Sequence, residues 1–325
     1  MEHLPDFQLH RPATVAEAVA LRAEETEARY LAGGTDMVVN IRRGIEQPAT
    51  LVDLNAIEGF AAIEENAGGL VIGAGATLDM LAAREAVRRD YTAVAEAAGA
   101  VAGPTHRRYG TIGGNLCLDT RCLYYNQSEW WRRANAYCLK NVGETCHVAP
   151  GGKRCFAAFS GDLAPAMLVH DAEVEIAGAD GTRRIPLAGL YRDDGMDHLT
   201  LAPGELLTAI HLPKSTAGVP SGYAKSRIRG AIDFPLAGVA ILLDRKDGRI
   251  ASLRIALTGV NPSPQLVEVA DDLTGKPLDA DTLDEVREMV RKTAKPMRTT
   301  TVPPWYRRRV VGALARRLAA RLANP

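Results

Sequence analysis

Residues 30–43 read Tyr-Leu-Ala-Gly-Gly-Thr-Asp-Met-Val-Val-Asn-Ile-Arg-Arg: a short apolar run, two glycines followed by Thr35 and Asp36, then apolar positions interleaved with Asn40, Arg42 and Arg43. The apolar run predicts a strand and the interleaved segment a helix, which leaves Gly33–Asp36 as a loop where backbone N–H groups can hold an anion. Upstream, Thr14 and Glu17 form a capping-box pattern ahead of an Ala-, Val- and Leu-rich helix. Downstream, Thr50–Leu54 and Gly69–Gly75 read as strands, with helices starting at Leu78 and Thr92. A second paired-glycine loop follows at Thr111-Ile112-Gly113-Gly114-Asn115, and neither loop has the GxGxxG form. In both, glycine lets backbone approach a ligand closely, while Thr, Asp or Asn can hydrogen-bond phosphate or sugar oxygens. Either loop alone is adequately explained as a tight turn; together they suggest a pyrophosphate gripped from two sides.

From Ala172 the pattern changes to paired strands. Asp180-Gly181 separates Val174–Ile176 from Arg184–Pro186, and Asp247-Gly248 separates Val239–Leu243 from Ile250–Leu257, both strong hairpin signals. Ser215–Gly222 reads as a linker, and residues 281–292 and 305–322 as helices. The expected class is α+β. Residues 1–214 form a two-lobed first domain, and 215–325 form a second domain of antiparallel sheet followed by helices. Arg307, Arg308, Arg309, Arg316, Arg317 and Arg321 accompany Val310, Leu314, Leu318 and Leu322, which fits an amphipathic helix with a solvated basic face.

The 325 residues suffice for two domains of roughly 150 residues each. Lys+Arg 39 cancels Asp+Glu 39, so no net field draws the chain to nucleic acid or an anionic membrane. No apolar run approaches the ~20 residues that cross a bilayer, and the opening lacks a basic segment followed by an apolar one, so a cytoplasmic protein is expected. In a reducing compartment, clustered thiols ligate metal more often than they pair. All five cysteines fall between Cys117 and Cys155. Cys122, Cys138, Cys146 and Cys155 are separated by fifteen, seven and eight residues, and such spacing suits tetrahedral zinc and a 4Fe-4S cluster equally. Cys117 reads as a small buried residue, and Tyr124, Tyr125, Trp130, Trp131 and Tyr137 as a miniature core beside the thiols.

The order of LAGGTD at 31–36, RYGTIGGN ending at Asn115, SGDLAPAMLVHDAEVEI from Ser160 and GELLTAIHLP from Gly204 resembles the FAD-binding subunits of the molybdenum hydroxylases, the xanthine dehydrogenase and carbon monoxide dehydrogenase family. The resemblance implies that Leu31, Ala32, Gly33, Gly34, Thr35 and Asp36 wrap the FAD pyrophosphate and that Thr111, Ile112, Gly113, Gly114 and Asn115 close on it. It places Asp162 beside the ribityl chain and Leu207 and Lys225 against the flavin; Val101 follows only from its distance before the second loop. Asp162 has a competing reading as a helix N-cap. Relatives join the second loop to the Asp162 segment by a short connection, whereas here residues 121–158 intervene and carry four cysteines.

Such an insertion is similar to that of the 4-hydroxybenzoyl-CoA reductases, which implies a 4Fe-4S cluster on Cys122, Cys138, Cys146 and Cys155. It further implies a doubled heterotrimer with a molybdopterin-containing large subunit and a 2Fe-2S small subunit, no catalytic residue on this chain, and reduction of 4-hydroxybenzoyl-CoA to benzoyl-CoA in anaerobic aromatic degradation. Electrons would come from a ferredoxin-like donor. The rival expectations are an oxidising relative with a structural zinc loop, or a non-catalytic nucleotide-binding scaffold.

Overall fold

The computed structural model describes residues 4–25 and 27–323. Strands β1 (Gln8–His10), β2 (Arg29–Leu31) and β3 (Thr50–Asp53) form a parallel sheet in the order β1-β3-β2. Parallel pairing requires crossovers, and helices Val15–Glu24 and Met37–Arg42 supply them. The first begins where Thr14 accepts a hydrogen bond from the Glu17 N–H at 3.2 Å.

A second, antiparallel sheet joins β4 (Ile63–Asn66), β5 (Gly69–Gly73), β6 (Glu173–Gly178), β7 (Gly181–Pro186) and β8 (Leu206–Pro213) in the order β4-β5-β8-β6-β7. The third, also antiparallel, joins β9 (Ser221–Ser226), β10 (Ala237–Lys246), β11 (Arg249–Thr258) and β12 (Gln265–Leu266) in the order β12-β11-β10-β9. Asp247 and Gly248, at φ 53° and 76°, make the tight β10–β11 turn that their sequence signals. Alternation along β10 serves two cores. Ala240 and Leu242 pack into the large core shared with the first two sheets, while Val239, Ile241 and Leu243 pack under helices Ala280–Thr293 and Pro304–Ala323.

Two expectations need correction. The segment Thr111–Asn115 is not a free loop: Ile112–Leu116 is a short helix whose N-cap Thr111 accepts from the Gly114 N–H at 3.1 Å. Arg307 is not on a solvated face but 1% exposed. Its Nε donates to the Leu236 carbonyl at 2.9 Å and its Nη1 to the Met297 carbonyl and Thr299 Oγ1 at 2.9 Å each, while Nη2 donates to the Gly259 carbonyl. The cause lies in helical spacing: Arg307 shares a stripe with buried Val311, Leu314 and Leu318, and four acceptors offset the loss of its hydration.

His170, fully buried after helix Leu163–Leu168, fastens the first two sheets to the third. Its Nε2 lies 3.2 Å from Ser221 Oγ at the start of β9, and its ring stands edge-on to Tyr91 at 5.2 Å. Burial pulls its pKa down from 6.5 to about 4, with Arg254 acting in the same direction. The folded state therefore refuses a proton that the unfolded chain accepts, so stability falls as pH drops from about 6.5 toward 4. The expected loss is roughly 3 kcal/mol between pH 7 and pH 4. Urea titrations at both pH values should show it, and His170→Gln should flatten the dependence; an unaltered slope would assign the acid loss to other groups.

Candidate functional site

The two glycine segments lie against each other. A Cβ on Gly33 would sit 1.7 Å from the Tyr109 carbonyl oxygen, so only glycine allows the first loop to touch the residues that lead into the second. The first loop is held from behind by Asn55 Nδ2, which donates to the Ala32 carbonyl at 3.0 Å. Tyr30 adds a 2.7 Å bond from its hydroxyl to the Gly204 carbonyl. The second hangs on Ala74–Leu78 through Gly113 N–H to the Ala74 carbonyl (2.8 Å) and Ile112 N–H to the Ala76 carbonyl (2.9 Å). Gly114 is exposed, and a Cβ there would meet only Thr111 Oγ1 at 3.0 Å, so this segment's open side faces outward. Asn115 Oδ1 accepts from the Leu163 N–H at 3.0 Å, tying the second glycine segment to the helix after Asp162. Asp36 occupies the N-cap position of helix Met37–Arg42 without capping it; its carboxylate accepts from Asn40 Nδ2 at 2.9 Å and pairs with Arg121.

Asp162 also occupies an N-cap position without a capping bond, so the cap reading fails. It is 3% exposed, accepting the Tyr223 hydroxyl at 2.6 Å and pairing with Lys225 Nζ at 3.0 Å. Burial pushes its carboxyl pKa up against the opposing pull of Lys225 and Tyr223, and burial also drives the Tyr223 phenol well above its usual value. Tyr223 stands in the Tyr223-Ala224-Lys225 stretch that resembles the family, but the resemblance assigns it no role; strand alternation puts it on the same face of β9 as Lys225. Val101 is the half-buried C-cap of helix Thr92–Ala100, beside Ala102, whose carbonyl accepts from the Ile232 N–H at 3.0 Å. Leu207 is 3% exposed within the large core.

The four cysteines of the insertion are all buried, and three of them join Tyr125 and Ala157 in a separate small apolar cluster. Burial pushes the Cys122 thiol up to about 11 and the Cys155 thiol to about 12, with Cys146 near both and Cys138 near Cys122 adding to the effect. One backbone N–H points at sulfur, that of Ala157 at Cys155 Sγ, 3.4 Å away, while the Tyr125 N–H donates to the Cys122 carbonyl at 3.0 Å. Among the described residues, no three His, Cys, Asp or Glu side chains converge to hold a metal ion, so the expected ligand set is not a preformed single-ion site. His147 has its Nε2 on the Tyr137 carbonyl. Trp130 is 77% exposed and takes no part in the miniature core expected of it, whereas Tyr124 and Tyr125 pack beside the thiols. Cys117 packs against the large core with burial pushing its thiol up to about 12.

The insertion contains one helix of six residues, Glu129–Ala134, and is fastened at several points. Leu123 N–H donates to the Thr299 carbonyl at 2.8 Å, and Cys155 N–H to Asp194 Oδ1 at 3.1 Å. Arg132, 1% exposed, donates to the Gly44 carbonyl at 2.7 Å, and buried Lys140 pairs with Asp119 beneath the Tyr125 ring.

The family described as the FAD binding domain in molybdopterin dehydrogenase matches residues 5–215, and the CO dehydrogenase flavoprotein C-terminal domain matches 221–322. The chain is 37% identical to the aldehyde oxidoreductase FAD-binding subunit PaoB of Escherichia coli K12, over 82% of this chain and 85% of that protein. It is 29% identical to the carbon monoxide dehydrogenase medium chain of Afipia carboxidovorans, over 97% and 96%. The solved Cu,Mo-CO dehydrogenase contains a chain that superposes with a TM-score of 0.81 at 27% identity, covering 99% of each.

The loop contact makes a paired expectation. Gly33→Ala must push the two backbones apart and should cost about 1–3 kcal/mol, whereas Gly114→Ala, whose Cβ would press only on the Thr111 hydroxyl at 3.0 Å, should cost less than about 1 kcal/mol. Urea unfolding of the two variants checks this, and equal losses would contradict the contact.

Proposed function

The chain belongs to the FAD-binding flavoprotein subunits of the molybdenum hydroxylases, and on that footing we propose that it is an electron-relay subunit carrying FAD and a 4Fe-4S cluster, with substrate chemistry left to a molybdopterin-containing partner. The observation that carries the flavin assignment is the abutment of Gly33 on Tyr109, together with the buried Asp162–Lys225 pair, next to which Asn115 of the second segment bonds the Leu163 N–H. Leu31, Ala32, Gly33, Gly34, Thr35 and Asp36 would hold the pyrophosphate from one side and Thr111, Ile112, Gly113, Gly114 and Asn115 from the other, where Gly114 leaves room. Asp162 and Lys225 would together meet a ribityl hydroxyl, with Lys225 opposing the upward push of burial on the carboxyl. Val101 would flank the flavin, and Leu207 would act by packing from within the core. Residues 1–214 would be the FAD-binding domain and 215–325 the C-terminal flavoprotein domain.

The insertion fits a cluster through its donor set. Four thiols lie buried near one another, and a backbone N–H already faces the Cys155 sulfur. Tetrahedral zinc at 2.3 Å would draw its sulfurs to about 3.8 Å of one another. The choice of a cluster over zinc rests on redox chemistry, since zinc has none and the insertion springs from the second glycine segment. When bound, FAD would exchange one or two electrons and the cluster one at a time. The chain's residues would hold both groups at a fixed separation.

The assembly would be a doubled heterotrimer with a molybdopterin large subunit and a 2Fe-2S small subunit. The aldehyde oxidoreductase, xanthine dehydrogenase and carbon monoxide dehydrogenase relatives support an oxidising enzyme, with an aldehyde as the substrate class in the partner subunit. The cysteine insertion favours a second reading, a 4-hydroxybenzoyl-CoA reductase fed by a ferredoxin-like donor. The assembled complex separates them: bleaching of the flavin by an aromatic or aliphatic aldehyde supports the first, and donor-dependent loss of 4-hydroxybenzoyl-CoA supports the second.

Anaerobic purification should yield one FAD, with four irons and four acid-labile sulfides per chain. Serine at Cys122, Cys138, Cys146 or Cys155 should degrade the cluster spectrum, whereas Cys117→Ser should leave it intact. One zinc and no iron would overturn the redox role of the insertion.

A further inference from the structure

We propose that Arg121 is a positioning residue that couples the cysteine site to the dinucleotide site, so that filling either one tightens the other. This rests on the cofactor reading above. Arg121 directly precedes Cys122 and closes the neck of the insertion, its N–H donating to the Ala158 carbonyl at 2.7 Å and its carbonyl accepting from the Ala158 N–H at 2.8 Å. Its side chain, 13% exposed, runs the other way. The guanidinium pairs with Asp36 at the end of the first glycine loop and lies 4.6 Å from the centre of the Phe234 ring. Phe234 follows Asp233, whose carbonyl accepts from Lys225 Nζ at 3.4 Å. One residue thus touches the glycine loop and the Lys225 loop while its own peptide continues into a thiol.

The other ties of the insertion miss both glycine segments; they reach Gly44, Asp119, Thr120, Thr299, Asp193, Asp194 and Gly195. Arg121 also keeps a buried Nε without an acceptor among the described residues. An anion held between the glycine segments would be drawn to that cation. Cross-linking four thiols would fix the backbone of Cys122, and with it the neck from which the Arg121 side chain reaches Asp36. Two occupants that order the same segment each lower the ordering cost of the other, and such linkage is reciprocal.

The test uses the full chain, purified anaerobically, with the cluster present or removed by oxidation and chelation. The FAD dissociation constant is measured by flavin fluorescence in both states for the wild type, Arg121→Gln and Arg121→Lys. The wild type should bind FAD about tenfold more tightly with the cluster than without it. In Arg121→Gln the ratio should fall to one while iron and sulfide content stay at wild-type levels, and added FAD should no longer slow iron loss to a chelator. Arg121→Lys keeps the charge but loses the planar stack on Phe234 and should fall between. A wild-type ratio of one, or the same ratio in Arg121→Gln, overturns the coupling. Should the Gln variant not fold, an unchanged ratio in Arg121→Lys overturns it as well. Absence of iron from every preparation overturns the cofactor reading instead.

Discussion

A carboxylate withdrawn from water must be met by charge or by donors, and Asp162 is met by both from a strand some sixty residues further along the chain. Lys225 and Tyr223 reach it from the third sheet, so the two halves of the molecule cannot separate without stranding a charge. Neighbouring contacts follow the same seam: Thr258 Oγ1 donates to the Gly161 carbonyl at 2.9 Å, and His170 meets Ser221 at the start of β9. The glycine segments are positioned against this seam through Asn115, which links the second of them to the N–H of Leu163.

What is legible in the sequence is local. The Asp247-Gly248 hairpin and the Thr14 cap follow from residues adjacent in sequence, and the glycine segments announce themselves by composition. The helix at Ile112–Leu116 is hidden because glycine is a poor helix former, although Thr111 followed three residues later by Gly114 carries its capping bond. Charge alone assigns Arg307 to water, whereas its four acceptors come from three separate segments that no spacing reveals. Asp162 and Lys225 each stand out as site residues by resemblance, yet their pairing is beyond reach because it is a property of the tertiary fold.

The insertion shows a different economy. Its own apolar cluster is small and made largely of cysteine, with Ile45, Tyr124 and Val148 at its margin. Arg132 and Lys140 are buried within or beside it and bond to segments of the surrounding protein. A segment with so little core derives its shape from anchors, and four thiols in its centre are the residue type best able to add another through a metal cross-link.

Strand β10 is a wall common to two cores, with Ala240 and Leu242 on one side and Val239, Ile241 and Leu243 on the other. During synthesis the flavin-binding region therefore leaves the ribosome with one wall of its core missing. Its apolar surface can close only after β9–β11 have been made, so the first two-thirds of the chain completes its folding late and together with the last third.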